Sequence, residues 1–260
     1  MTEESSSSPK LLGVPSYGYV VPLWKPLSHR SEFTIVHDVP AHLARRLRER
    51  KLSAALLTPI DYARDYAMYR IIRDAAVSSI GASGTILLNF RSGLHDIQSI
   101  AFDPSSSSEV VLAKIVLAEK YELTPAVIPV IGTLEEMLAK ADAALMLGDP
   151  TRHHERETML DIVEEWTDIA DVPYVHNVWV SREHELSSDQ INLIRQTPTS
   201  IQDGSSPAKG NDEANRLSFS LSEDGLGGLN EFLRMAYYHK ILQDMPDLKL
   251  FQQKDVESAE

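Results

Sequence analysis

From Ile80 to Asp149 the chain alternates short apolar runs with longer stretches of helical spacing, and this alternation constrains the fold more than any other feature. Thr85–Phe90, Gln98–Phe102, Ala126–Val130 and Ala143–Leu147 have the length and apolarity of buried strands. Between them, Val110, Val111, Ile115, Val116 and Leu117 recur at near-helical spacing within Ser107–Tyr121, and Leu134–Lys140 forms a second helical stretch. Strands alternating with helices favour a mostly parallel sheet with helices on both faces. In such sheets ligands sit beyond the carboxyl ends of the strands.

The same pattern extends in both directions. Upstream lie strands at Leu11–Val14, Phe33–Val36 and Ser53–Leu57, a helix opened by Asp38-Val39-Pro40, and a helix over Ile60–Tyr69. Downstream, Glu157–Ile169 reads as a helix, Tyr174–Val180 as a strand and Leu229–Leu242 as a strong helix, with Gly225, Gly227 and Gly228 as a turn before it. The polar stretch Thr197–Asn215 is predicted to be a surface loop, and residues 1–10 an acidic, Ser-rich, disordered lead. There is no internal sequence repeat.

Three helix starts carry a hydroxyl with an acid three residues on: Thr58–Asp61, Ser106–Glu109 and Thr133–Glu136. That is the capping-box pattern. The first two directly follow apolar strands, and a strand feeding a capped helix leaves backbone N–H groups pointing off the sheet edge, where a carboxylate or phosphate can sit. A cap is also the ordinary start of any helix, so the pattern by itself leaves both readings open.

Composition narrows the chemistry. The chain has no cysteine, which excludes disulfides, thiolate metal sites and a cysteine nucleophile. A formal charge of -13 argues against nucleic acid and anionic membrane as partners, though a local nest of N–H groups can still hold a small anion. The first residues form no signal peptide and no run is long enough to span a membrane, so a cytoplasmic location is expected. No dinucleotide fingerprint, P-loop, nucleophile elbow or zinc-protease motif occurs. His153-His154 reads as a solvated helix face, because adjacent helical residues diverge by about 100°. Trp166 and Trp179 read as core. Asp103 and Asp149 sit just past apolar strands, each a general base, an orienting acceptor or a turn former.

Taken in order, several segments resemble a known family: Ser16-Tyr17-Gly18-Tyr19-Val20-Val21-Pro22-Leu23; Ala54-Ala55-Leu56-Leu57-Thr58-Pro59 with Tyr62; Ser79-Ile80-Gly81; Thr85-Ile86-Leu87-Leu88; Ala101-Phe102-Asp103 with Ser105–Ser108; Ala144-Leu145-Met146-Leu147-Gly148-Asp149; Asp161-Ile162 with Glu165-Trp166; and Pro173-Tyr174-Val175 with Val178-Trp179. They resemble the menaquinone-biosynthesis family of the futalosine pathway, and within it the chorismate dehydratases, over Leu11 to about Leu250. The resemblance implies an α/β, two-lobed fold of the type II periplasmic-binding-protein kind with a ligand cleft between the lobes. Lobe one would hold residues 11–90 and 181–260, and lobe two residues 91–180. It implies dehydration of chorismate to 3-(1-carboxyvinyloxy)benzoate without metal or organic cofactor, by a monomer or homodimer. On this reading Tyr19, Thr85 and Asp149 serve catalysis, and Ser16, Tyr17, Thr58, Ser83, Ser106, Ser107, Ser108 and Asn177 bind substrate.

The chain also departs from the family pattern. Where the family usually reads Ser-Tyr-Leu-Asn-Ala-Arg-Pro-Leu, Tyr19 replaces the Asn, a pocket residue, and Val21 replaces the Arg. Thr85 replaces a Ser, and Ser108-Glu109 replaces a Thr-Ser pair. Glu109 is expected to fold back as the acid of a capping box; turned inward, it would repel a carboxylate ligand. Two functions follow: a dehydratase with altered contacts, or a catalytically silent paralogue that closes on a small carboxylate. If Tyr19 fills the pocket, the enzyme reading fails. The later naphthoate-forming step of the pathway is a weaker third option, since its Cys-Pro-Asn-Asp-type segment and catalytic His have no evident counterpart.

Overall fold

A strand apolar on both faces belongs inside a sheet that is covered on both sides. β3 (Ala54–Leu57) is such a strand, with all four residues buried. In the computed structural model, which describes residues 8–147, 158–198 and 217–251, it lies inside a six-stranded sheet. Its neighbours are β1 (Lys10–Val14), β2 (Phe33–His37), β4 (Arg70–Ser79), β10 (Tyr174–Ser181) and β11 (Leu217–Ser218), in the order β11-β4-β10-β3-β1-β2. The second sheet holds β5 (Ile86–Phe90), β6 (Ser99–Phe102), β7 (Ala126–Pro129), β8 (Ala143–Leu147) and β9 (Met159–Asp161), in the order β7-β6-β8-β5-β9.

The two sheets share one plan that the sequence does not repeat. In the first, β2, β1 and β3 run parallel, then β10 runs antiparallel beside β4. In the second, β7, β6 and β8 run parallel, then β5 runs antiparallel beside β9. Each antiparallel strand has crossed over from the other sheet, β5 directly after β4 and β10 after β9 and the helix that follows it. Two crossings between two sheets make a two-lobed molecule. Sheet membership corrects the expected boundaries: β5, expected in lobe one, belongs to the second sheet, and β10, expected in lobe two, belongs to the first. It also makes both sheets mixed rather than mostly parallel.

The helices divide by what they cover. α1 (Val21–Trp24) and α7 (Ser188–Arg195) share a cluster with Leu12, Val14 and Trp179. α5 (Leu134–Leu138) covers Ala101 and Ala144 of the second sheet. The largest cluster is continuous between the lobes. It runs from Leu43 and Leu47 of α2 (Pro40–Arg48), through Ile60 of α3 (Pro59–Arg64) and Leu112 and Val116 of α4 (Ser107–Tyr121), to Trp166 of α6 (Ile162–Ala170) and Phe232 of α8 (Glu223–Tyr238). A Leu, Val or Phe fully withdrawn from water contributes about 1.5–3 kcal/mol, so this cluster holds the lobes together along one side of their junction.

Local reasons explain where elements depart from expectation. The helix expected over Ile60–Tyr69 stops at Arg64, because Asp65 leaves helical geometry (φ -131°), and a 3-10 turn and β4 follow. β4 escaped notice because its alternation is interrupted. Asp74 sits at φ +67° and the pairing with β10 slips between Ala76 and Ile71, so Arg73-Asp74 bulges outward. The start of the stretch read as a helix over 157–169 is partly strand, β9. Gly225, Gly227 and Gly228 lie within α8, whose N-cap Ser222 accepts from Gly225 N–H. Gly228 is required there: a Cβ would meet the Pro173 carbonyl oxygen at 1.9 Å. The expected disordered lead up to residue 7, most of the expected loop over Thr197–Asn215, His153-His154 and Gly148-Asp149-Pro150 lie outside the described residues.

Candidate ligand cleft between the lobes

After β1 the chain turns at Ser16 and enters a 3-10 turn, Gly18–Val20. Tyr17 and Tyr19 flank Gly18, and their rings stack at 5.4 Å and 19°. Tyr19 leans on His176 (5.8 Å), and His176 meets Tyr174 edge-on at 5.0 Å. The β10–β4 pairing slips between Val175 and Asn177, which leaves His176 as the extra residue of a bulge. Bulges re-aim side chains, and this one brings His176 to the tyrosines. Its Nε2 lies 2.7 Å from Ser79 Oγ, and burial pushes its pKa down to about 3, so the ring is neutral. The first lobe therefore presents an aromatic, uncharged wall.

The second lobe presents an acid. β6 ends at Phe102, and Asp103 Oδ1 accepts from Ser105 N–H (2.8 Å) and Oγ–H (2.7 Å), which makes Asp103 a turn former. α4 then starts at Ser106, but no capping box forms. Ser106 has ψ 59°, whereas the boxes that do form, Thr133–Glu136 and Ser187–Gln190, have N-caps at ψ 166° and 163°. Without the extended N-cap, Ser106 Oγ does not meet the third N–H, and Glu109 has no capping-box partner to reach back to. It points inward instead, 4 % exposed, with Oε2 unpartnered. Burial raises its carboxyl to about 7, with a further push from Asp61, against hydrogen bonds from its own and Ser108's N–H. Burial first, and Glu109 next, push the Tyr17, Tyr19 and Tyr174 hydroxyls up as well. These four side chains therefore face one another between the lobes.

The helix starts expected to hold a ligand anion are occupied from within. Ile60 N–H, at the start of α3, donates to Ser108 Oγ at 2.9 Å. Thr58 forms no cap either; its hydroxyl donates to Asp61 (2.8 Å), which also pairs with Arg64. At α6, Asp161 Oδ1 accepts from Val163 and Glu164 N–H, while Oδ2 accepts from Ser83 N–H (2.7 Å) and Gly84 N–H (2.5 Å). Burial keeps the Asp161 carboxyl above its ordinary value despite those four donors.

The residues assigned from sequence separate accordingly. Tyr17 and Tyr19 lie in the cluster. Asn177 is fully buried one position beyond His176, with both amide atoms unpartnered. Ser106 is buried at the head of α4, while Ser108 holds α3. Ser83 and Thr85 are buried and bonded to each other (Oγ to Oγ1, 2.5 Å), and Ser16 is exposed at the turn. Asp149 and the side chain of Ser107 lie outside the described residues. Sequence reasoning missed Tyr174 and His176, and of its two readings of Glu109 the inward one, not the expected capping box, is found. The available signal was polar chemistry in β10, a strand buried at every position.

Tyr17 Oη, Tyr174 Oη, Glu109 Oε2 and the Asn177 amide are all buried without partners. Each such group costs about 1–3 kcal/mol, and folded proteins keep few of them. Tyr17 and Tyr174 come from one lobe and Glu109 from the other, so three of these groups meet at the junction. Among the described residues, no group of three or more His, Asp or Glu side chains is placed to hold a metal ion, and no helix is long and apolar enough to cross a membrane.

Comparison with known proteins fits this geometry. A family model described as menaquinone biosynthesis matches residues 11–238. Among solved structures, protein AF1704 from Archaeoglobus fulgidus superposes with a TM-score of 0.66 at 14% identity, covering 91% of this chain and 99% of that one. The alkanesulfonate-binding protein SsuA from Xanthomonas axonopodis pv. citri, bound to MOPS, gives 0.61 at 15% identity, over 93% and 96%. The Candida albicans CA3427 gene product, described as having the generic periplasmic binding protein fold, gives 0.54 at 12% identity, over 95% and 99%. These similarities establish the two-lobed binding-protein fold. No curated protein sequence matches the chain.

Proposed function

The chain belongs to the menaquinone biosynthesis family, and from that premise we propose that it is a cytoplasmic carbon–oxygen lyase of the futalosine pathway that dehydrates chorismate. The ring loses its hydroxyl and a ring hydrogen, water departs, and the aromatic product is 3-(1-carboxyvinyloxy)benzoate. No electron acceptor is needed, because aromatisation balances with water alone.

The observation that carries this reading is that the hydroxyls of Tyr17 and Tyr174, each acted on by the Glu109 carboxylate, and Glu109 Oε2 itself are buried without partners. Such a set can orient a small polar ring and hold it away from water. A carboxyl with its pKa near 7 suits proton transfer in an elimination. Tyr19 forms part of the aromatic wall and brings a hydroxyl where the family has an amide. Thr85 and Ser83 serve the departing hydroxyl only if their mutual hydrogen bond opens, and Asp149 is the proposed orienting acid at the end of β8.

A second reading has its own observation. Glu109 stands where the family has a hydroxyl, at the helix start that would hold a carboxylate, which favours a silent paralogue. Incubation with chorismate, followed by mass spectrometry of the product with and without chelator, separates the two. The dehydratase forms product in both conditions, and Tyr19→Asn, which restores the family residue, holds or raises turnover. A wild-type protein whose melting temperature rises with chorismate but which forms no product is the silent paralogue.

A further inference from the structure

We propose that Glu109 sets the ligand chemistry of the cleft: its carboxyl occupies the seat at the start of α4, so a carboxylate ligand enters there only together with a proton. The inference rests on the reading above that the cleft takes a small carboxylate.

The seat is built by the N–H groups of Ser108 and Glu109, which hold the Glu109 carboxyl. Its second oxygen is buried and unpartnered, so it is the open side of the seat. The groups facing it are acidic or neutral. The loop after β1 brings the hydroxyls of Tyr17 and Tyr19, and β10 brings that of Tyr174. α3 brings Asp61, already paired with Arg64. The loop ahead of α4 brings Asp103, whose charge acts on Tyr17. The ion pairs that α6 and α8 make with α4 are Lys120 with Glu165 and Asp168, and Glu119 with His239. They lie about three turns away, at the far end of the helix. A ligand carboxylate would therefore meet a second carboxylate with, among the described residues, no unpaired cation facing either. Two carboxylates in one buried site share a proton rather than both ionise. Protonated, Glu109 becomes a donor through the same open oxygen and can bond the ligand it would otherwise repel. A helix start that normally selects an anion is thereby converted into one that selects an anion plus a proton.

The test is calorimetric titration of the full chain at pH 6 and pH 8, each in two buffers of different ionisation enthalpy. The probes are chorismate and 3-hydroxybenzoate, which has the ring and one carboxylate but nothing to eliminate. With the Glu109 carboxyl near 7, wild type takes up about 0.9 proton per ligand at pH 8 and binds about tenfold more weakly than at pH 6. Glu109→Gln binds equally at both pH values with no uptake, and Glu109→Ser serves as a second variant should the amide fail to fold. A wild type that binds neither probe at pH 6 while a variant binds one overturns the proposal, since the protonated acid is then a barrier rather than a donor. Wild-type binding without proton uptake, uptake that persists in Glu109→Gln, or no binding by any form overturns it. Product from chorismate without proton uptake defeats this inference and leaves the lyase. Proton-coupled binding without product defeats the lyase and leaves this inference.

Discussion

The backbone N–H of Ile60 donates to the hydroxyl of Ser108 at 2.9 Å, across 48 residues of sequence and from one lobe to the other. The start of α3 is thus capped by the start of α4. One hydroxyl satisfies a buried donor that a local cap would ordinarily serve, and it fixes the two helices whose first turns border the cleft.

Ser108→Ala should therefore cost more than a surface serine. It leaves the Ile60 N–H buried without an acceptor, worth about 1–3 kcal/mol. Thermal unfolding should show a fall of about 2–4 °C for each kcal/mol lost. Ser108→Thr keeps the hydroxyl and should lose less. Equal melting temperatures for Ser108→Ala and wild type would show that the bond contributes nothing.

The glycines of α8 should respond in opposite directions. At Gly228 a Cβ would meet the Pro173 carbonyl at 1.9 Å, whereas at Gly227 nothing lies within 4 Å. Gly228→Ala forces α8 off the loop before β10 and should cost about 1–3 kcal/mol or more. Gly227→Ala gains about 0.5–1 kcal/mol of helix propensity. Urea unfolding of the two variants side by side measures the contrast.

His176 and Glu109 should cancel in the pH dependence of stability. His176 is neutral in the fold, with its pKa down to about 3, so it favours folding above the ordinary value near 6.5 and loses that contribution as pH falls towards 3. Glu109 is raised to about 7, so its contribution is full below its ordinary value of 4.5 and is lost as pH rises towards 7. Between pH 4.5 and 6.5 the unfolded chain gains one proton on the histidine and releases one from the glutamate, so the pair leaves stability flat. Glu109→Gln should expose a rise with pH of up to about 1.4 kcal/mol per unit, and His176→Gln a fall of the same size. Chemical denaturation at pH 5 and pH 6 checks both slopes.

Tyr174→Phe should separate stability from binding. Its hydroxyl is buried and unpartnered, so removing it relieves a desolvation cost and should hold or raise the melting temperature of the unliganded protein. If the hydroxyl meets the ligand, the same change should weaken chorismate binding by about tenfold. Unchanged affinity would remove Tyr174 from the site.

Much of the fold was legible locally. The strand over Ala143–Leu147 and the helix over Ser107–Tyr121 fall where apolar runs and spacing put them, because most of their apolar side chains are buried, the helix leaving only Lys114, Glu119 and Lys120 exposed among its described residues. Thr133–Glu136 forms the capping box its sequence announces, since α5 lies at the surface with nothing competing for its first turn. What the sequence determined by itself was therefore most of the elements, with β4 and α7 among the exceptions, their α/β alternation and, through resemblance, the two-lobed family.

Tertiary structure alone decided which sheet takes β5 and β10, because strand order is fixed by pairings between residues a hundred positions apart, such as Val178 with Ala76. It alone decided the helix starts at the lobe junction. There, Thr58, Ser106 and Glu109 carry the same local pattern as Thr133. The packing of α4 against α3 gives Ile60 N–H to Ser108, sets Ser106 at ψ 59° and turns Glu109 inward. A capping box is a local contact of about 1 kcal/mol, and in a buried junction long-range partners and the burial of α4 outweigh it.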